Sequence, residues 1–237
     1  LNQKSPDGEL RFRLFPASDD NQVLYDKSIR VNGDKLDEYY SFVLQYPKAQ
    51  LWSPESPNLY WLQIDWNGKD GSSHSVRKRF GFRWFEIKDS KDGRYFQLNG
   101  KRIVLRTAIS WGFWPVNGII TTTELAERQI RLAKELGLNM LNFHRGIGQT
   151  VLLDKADELG LLYYEEPGGY KTGGNTRDVS LQALNRERFL RMMKRDRSHP
   201  SLIIYNMINE ISNRQPLPFE IEDLKLFHSQ DETRHIT

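Results

Sequence analysis

The sequence predicts a two-part chain: an immunoglobulin-like β-sandwich over residues 1–90, then the first four βα units of a TIM-type (β/α)8 barrel over residues 91–237. Three observations predict it. Short β-rich segments punctuated by turn dipeptides fill the first third. Beyond Tyr95, short apolar strands alternate with amphipathic helical stretches, the rhythm of a parallel sheet covered by helices. The second region is also about half the roughly 250 residues of a complete eight-fold barrel, so a smaller open sheet is the alternative architecture.

Leu10–Phe15 alternates as Leu-Arg-Phe-Arg-Leu-Phe, the period of a strand with one buried face. Tyr39–Leu44, Leu59–Trp66 and Val76–Ile87 are β-rich, and Asn32-Gly33, Ser53-Pro54, Asn67-Gly68 and Asp70-Gly71 separate the segments. Turns at this spacing suit an antiparallel sandwich. Asp92-Gly93 and Asn99-Gly100 then flank a strand at Tyr95–Leu98. After it, strands are expected at Ile103–Ile109, Asn139–Phe143, Leu161–Tyr164 and Leu202–Ile208. Helices are expected at Thr123–Leu136, Thr150–Leu159, Ser180–Arg197 and Pro218–Gln230, the first with Leu125, Leu132, Ala133 and Leu136 on its inner face. Gly137 and Gly160 stop the first two.

Composition bounds the function. Hydrophobic residues make up 38% and charged residues 27%, a globular balance. No apolar run approaches the roughly 18–20 residues of a membrane helix, so no membrane partner is expected. The net charge of +3 is small for 237 residues and reads as a solvated surface, so no nucleic-acid partner is expected either. With no Cys, thiolate metal sites, thiol nucleophiles and disulfides are excluded, and the compartment stays open between cytoplasmic and secreted. The opening Leu1-Asn-Gln-Lys has neither a Met nor a signal-type pattern and is expected to lie inside a longer protein. The six Trp suit core packing, and those in loops also suit stacking on sugar rings.

The segment richest in chemistry is Arg197-Ser-His-Pro-Ser-Leu-Ile-Ile-Tyr-Asn-Met-Ile-Asn-Glu210. An apolar strand leaves a His-Pro turn and delivers Asn209 and Glu210 at its C-terminal end, where parallel α/β enzymes keep their reacting groups. An amide beside a carboxyl suits glycoside hydrolysis: one holds a sugar hydroxyl while the other protonates the leaving oxygen. Taken without context, an Asn-Glu pair is more commonly a helix-entry cap.

Context comes from four segments in order: Leu51-Trp-Ser-Pro-Glu-Ser-Pro-Asn-Leu-Tyr60, Phe80-Gly-Phe-Arg83, Phe96-Gln-Leu-Asn-Gly-Lys-Arg-Ile-Val-Leu105 and Arg195-Asp-Arg-Ser-His-Pro-Ser-Leu-Ile-Ile-Tyr-Asn-Met-Ile-Asn-Glu210. Asp231-Glu-Thr-Arg-His-Ile-Thr237 extends the set toward a fifth strand. Together they resemble glycoside hydrolase family 2, the family of β-galactosidases, β-glucuronidases and β-mannosidases. The resemblance implies a retaining β-glycosidase acting on a β-linked oligosaccharide or glycoside, with Glu210 as general acid/base and Asn209 on the substrate's 2-hydroxyl. It implies a nucleophilic Glu after the seventh strand, so these 237 residues are expected to hold half of the active site. They are expected to be inactive alone and to self-associate through the open half-barrel.

The departures fall in the pocket loops. The family's N-R-H-E after the first strand is Ile109-Ser-Trp-Gly-Phe-Trp114 here, and Trp111 and Trp114 are candidates for a stacking wall or for loop packing. Leu141-Asn-Phe-His-Arg145 keeps a His and an Arg but not the family's spacing, so His144 and Arg145 are candidate sugar contacts, with a His packed beneath a loop as the alternative. Glu165-Glu-Pro-Gly-Gly-Tyr-Lys-Thr-Gly173 lacks the Glu-x-His pair of the family's magnesium site, so no metal or other cofactor is expected. Glu165 is a candidate substrate contact; Glu165 and Glu166 are both candidates to orient pocket residues, or Glu166 pairs with a nearby Arg. Asn209 and Glu210 are expected on the same rim as His144 and Glu165. The competing readings are another retaining glycosidase whose fourth strand ends in Asn-Glu, and a non-catalytic carbohydrate-binding or interaction module of the same fold.

Overall fold

The computed structural model describes residues 7–32, 42–110, 118, 121–167, 179–209 and 215–237. The chain divides into two compact units, one made of Leu1–Gln50 with Asn58–Phe82, the other of Leu51–Pro57 with Arg83–Thr237.

In the first unit, β1 (Gly8–Pro16), β2 (Tyr25–Val31), β3 (Tyr60–Gly68) and β4 (Ser73–Phe80) form one antiparallel sheet in the order β2-β1-β3-β4. The alternation of β1 sorts its residues by face: Phe12 and Leu14 are buried, while Arg11 and Arg13 reach Asp26 and Asp65 at 2.8 Å each. Tyr60 and Phe80 pack on Phe82, with ring centroids 5.1 and 5.0 Å from it. β2 was not evident in the sequence, because its exposed edge carries only Ile29 and Val31 as aliphatic residues and is defined by its register on β1. The strand expected over Tyr39–Leu44 lies largely outside the described residues, and 42–44 are irregular. The expected Val76–Ile87 strand is two strands, because the backbone leaves the first sheet after Phe80 and β5 (Phe85–Ser90) begins in the second unit.

The second unit starts with an antiparallel meander of β5, β6 (Gly93–Leu98) and β7 (Lys101–Ile103). Asn99 and Gly100 carry φ values of 54° and 76° between β6 and β7, the conformation a two-residue hairpin requires. Five βα repeats' worth of strands follow: β8 (Thr107–Ile109), β9 (Met140–Phe143), β10 (Leu162–Glu165), β11 (Leu202–Tyr205) and β12 (His235–Ile236). Between them run α1 (Thr123–Glu135), α2 (Thr150–Leu159), α3 (Val179–Asp196) and α4 (Pro218–Gln230). All five strands are parallel, and their spatial order is their order in the chain. The order never reverses, so the sheet has no topological switch point of the doubly wound kind. β11 is not an edge of the sheet, because Ile204 and Tyr205 pair with His235 and Ile236.

Helix α1 corrects the sequence reading in one respect. Its buried stripe is Ala126, Ile130 and Ala133, whereas Leu132 and Leu136 are 46% and 79% exposed. Of the expected face only Ala133 is buried; Ala126 and Ile130 complete the buried stripe, and Leu132 and Leu136 face away from it. Leu152, Leu153, Phe189, Met192 and Phe227 from the other helices pack on Leu141, Phe143, Tyr163 and Tyr205 of the sheet. Trp52 is fully buried in this unit and donates its indole N–H to the Asp157 carbonyl at 2.8 Å, which ties the 51–57 loop to α2. Among the described residues no helix is long and apolar enough to cross a membrane.

Candidate active site at the strand ends

Period-two alternation assigns the strand residues to two faces. Leu141, Phe143 and Tyr163 join the core beneath the helices, and Phe143 stacks on Tyr163 at 4.5 Å. Asn142 and Tyr164, one step out of phase, are opposite each other in the β9–β10 register, and the Asn142 amide donates to the Tyr164 hydroxyl. The next rung belongs to the loops. His144 Nδ1 lies 3.3 Å from Glu166 Oε1, and the Arg145 backbone N–H donates to Glu166 Oε2 at 2.8 Å. Arg145 adopts φ 57°, a left-handed conformation uncommon for a side chain of its size, and the Glu166 bond sits at that residue.

These groups follow the C-terminal ends of parallel neighbours and therefore share one rim. Beyond β11, Asn206 N donates to the Glu165 carbonyl at 2.8 Å and Met207 N to the Thr237 carbonyl at 2.7 Å, which carries the ladder toward Asn209. The Asn209 amide nitrogen is buried and has no hydrogen-bond partner among the described residues. A buried donor left open at a strand end is equipped to bind a ligand oxygen.

Glu165 does not join the rim. It is 0% exposed and shares the face of Tyr163, where its Oε1 accepts the Gly148 N–H at 2.6 Å and lies 3.5 Å from Arg195 Nη2. Burial, and then the charge of Asp196, raise its carboxyl well above the usual range, against the opposing pull of Arg195 and the Gly148 N–H. The expectation of Glu165 as a substrate contact is corrected for that reason. Glu166 takes the rim position instead, and its partners are His144 and a backbone N–H. Asn142 and Tyr164 were missed by sequence reasoning, although a lone Asn inside the apolar run Met140–Phe143 was the available signal. Glu210, Trp111 and Trp114 lie outside the described residues.

Among the described residues, Glu165 and Glu166 are already engaged at this end of the sheet. Both Glu166 oxygens already accept from the 144–145 turn, and Glu165 points into the helix layer. Asp154, Asp157 and His199 do bring ligand-type atoms within 4.8 Å of one another, but at the opposite end of the sheet, ahead of β11. Asp157 there is engaged by His199 Nδ1 at 2.6 Å and by the Ser201 N–H at 3.0 Å.

The family model described as "Glycosyl hydrolases family 2" matches residues 2–83. A β-galactosidase of Thermoanaerobacterium thermosulfurigenes is 30% identical over 99% of this chain and 31% of its own length. A β-glucuronidase of Bacteroides fragilis is 24% identical over 100% of this chain and 35% of its own length. Among solved structures, a glycosyl hydrolase family 2 member from Bacteroides cellulosilyticus superimposes with a TM-score of 0.81 at 26% identity, over 98% of this chain and 30% of that one. A β-glucuronidase of Parabacteroides merdae superimposes with the same TM-score at 23% identity, over 98% of this chain and 29% of that one, a likeness of fold. These folds fit a β-sandwich joined to a partial α/β domain. The chain spans about a third or less of the length of the curated relatives it matches.

Proposed function

The chain belongs to glycoside hydrolase family 2, and from that premise we propose that it supplies the acid/base side of a retaining β-glycosidase site. The observation that carries the reading is the strand order. Five parallel strands lie side by side in chain order, the arrangement of a singly wound barrel, so the loops after β9, β10 and β11 open onto one rim. His144, Glu166 and Asn209 follow those three strands, and a sequence relationship to β-galactosidases and β-glucuronidases spans nearly the whole chain. The second unit is then the first half of a (β/α)8 barrel, and the first unit belongs to an immunoglobulin-like sandwich.

In this reading Glu210 protonates the leaving oxygen and later deprotonates water, as the general acid/base of a retaining mechanism. Asn209, one residue before it, offers its unpartnered amide N–H to the sugar's 2-hydroxyl. Glu166 fixes the turn that presents His144 and Arg145 to the sugar. The nucleophilic carboxylate, which must stand about 5–5.5 Å from the acid, is implied by the family to follow a seventh strand and is assigned to no residue here. The 237 residues by themselves are therefore expected to be inactive. The sugar is a β-linked glycoside whose identity depends on the departed pocket loops.

The test is a leaving-group series in the full-length protein. Glu210→Gln is expected to slow aryl β-glycosides with poor leaving groups far more than those with good ones, because protonation of the leaving oxygen is the assistance removed. A uniform loss across the series would overturn the acid/base role. Turnover of nitrophenyl β-glycosides by residues 1–237 alone, abolished by Glu210→Gln, would overturn the half-site.

A further inference from the structure

The loop between β9 and α2 is held from both sides of β10. Glu166 accepts the Arg145 N–H at its start, and Glu165 accepts the Gly148 N–H at its end. Gly148 is gripped twice, because its carbonyl also accepts from Arg195 Nη2 at 2.6 Å. It has no room for a side chain either: a Cβ there would lie 2.1 Å from Phe143 Cε2. The loop therefore crosses the Phe143 ring at backbone distance, with both the N–H and the carbonyl of Gly148 bonded.

The grip is built from charge in a buried place. Arg195 presents Nε to Asp196 Oδ1 and Nη2 to Asp196 Oδ2, both at 2.7 Å, and Glu165 and Asp196 are each 0% exposed. Glu165 Oε2 meets no donor. Two fully buried carboxyls thus share one guanidinium that still reaches solvent, and a second full negative charge on the buried pair is costly.

We propose that Glu165, Arg195 and Asp196 are positioning residues of the sugar site, a latch on Gly148 that sets the placement of His144 and Arg145 against Glu166. The assignment of the loop to the sugar rests on the function proposed above; the latch itself does not. Glu165 acts as a neutral acid, its carbonyl-type oxygen toward Gly148 and its O–H toward Asp196. Burial and the Asp196 charge, which raise its carboxyl, favour that form.

The neutral form makes a specific forecast. Gln reproduces it, with an oxygen for the Gly148 N–H and an N–H for Asp196, whereas Asp keeps the charge type and withdraws by one methylene. In the full-length protein, Glu165→Gln is expected to keep amide exchange over 144–148, and kcat/KM for nitrophenyl β-glycosides, within about twofold. Glu165→Asp and Arg195→Lys are expected to speed that exchange at least tenfold, and to raise KM more than they lower kcat. Unchanged 144–148 exchange in Glu165→Asp and Arg195→Lys would overturn the latch, as would a Gln variant as loose as the Asp variant. Faster exchange with unaltered KM would overturn its role in positioning. A separate failure belongs to the functional reading: if His144→Ala and Arg145→Ala leave hydrolysis untouched, the loop does not face the sugar, whatever the exchange data say.

Discussion

His199 Nδ1 and Asp157 Oδ2 lie 2.6 Å apart where the chain turns into β11. The other Asp157 oxygen accepts the Ser201 N–H at 3.0 Å, and its backbone carbonyl accepts the Trp52 indole at 2.8 Å. One residue of α2 therefore fastens both the 51–57 loop and the turn that launches the strand carrying Asn209. This end of the sheet lies away from the rim, which makes its carboxylate–imidazole pair a matter of stability.

Asp157→Ala should accordingly lower unfolding free energy by about 3 kcal/mol, the scale for leaving a buried imidazole and N–H without their acceptor. Asp157→Asn, which retains one acceptor oxygen, should cost roughly half as much. Urea unfolding of the two variants gives the comparison. A loss in the alanine variant no greater than that of an exposed substitution would mean that water takes over the carboxylate's bonds.

The two helix-ending glycines differ in a measurable way. Gly137 and Gly160 have φ values of 77° and 72°, so alanine at either is strained by about 1–2 kcal/mol. A Cβ at Gly137 would meet nothing within 4 Å, whereas one at Gly160 would lie 2.2 Å from the Pro54 carbonyl oxygen. Gly160→Ala should destabilise clearly more than Gly137→Ala in thermal unfolding. Equal losses would show that the 51–57 loop yields freely.

Much of this architecture was legible in the sequence. The αβ succession beyond Tyr95 follows from helical periodicity and from Gly137 and Gly160 as stops, and all four helices occur within about two residues of expectation. What escaped were the choices that only a tertiary neighbour makes. An apolar strand covered on both sides does not reveal which of its residues face the helices, and so the burial of Glu165 on the helix side was not foreseen. Helix α1 offered a leucine stripe and an Ala-Ile-Ala stripe, and packing against its neighbours buried the second. The tie between Trp52 and Asp157 spans 105 residues and leaves no local signal.

Asp65 should give the sandwich sheet an acid-dependent component. Burial works to raise its carboxyl, but bonds from Gln63, Ser75 and Arg13 and the Arg13 charge outweigh it and bring the pKa from 3.8 to about 2. A depressed folded-state value stabilises above the unfolded value, and the contribution disappears as pH falls from 3.8 through about 2. The stability difference between the parent and Asp65→Asn should therefore be constant above about pH 5 and shrink below pH 4, measured by urea unfolding across that range. The carboxylate is partly solvated, so screening by salt should reduce the difference. A difference that stays constant down to pH 2 would show that the bonds of Asp65 do not depend on its charge.

Arg83 allows a sharper test of how the last strand is held. Its guanidinium donates to the carbonyls of Pro200 at 3.1 Å, Leu202 at 2.7 Å and Thr233 at 2.7 Å, bridging the entry to β11 and the entry to β12. Arg234 donates to the same Leu202 carbonyl at 2.9 Å, so that oxygen serves two cations. A planar fork can span three acceptors on two segments, and a single ammonium cannot. Arg83→Lys should therefore keep the charge but release the β12 entry, costing about 1–3 kcal/mol by the usual worth of hydrogen bonds involving charged groups. The loss should be local before it is global. The Thr237 N–H, bonded to the Tyr205 carbonyl at 3.0 Å, should exchange faster, while the Tyr163 N–H, bonded to Ser201 at 2.8 Å, should keep its protection. If both amides quicken together, Arg83 stabilises the sheet as one cooperative body and has no special hold on its fifth strand.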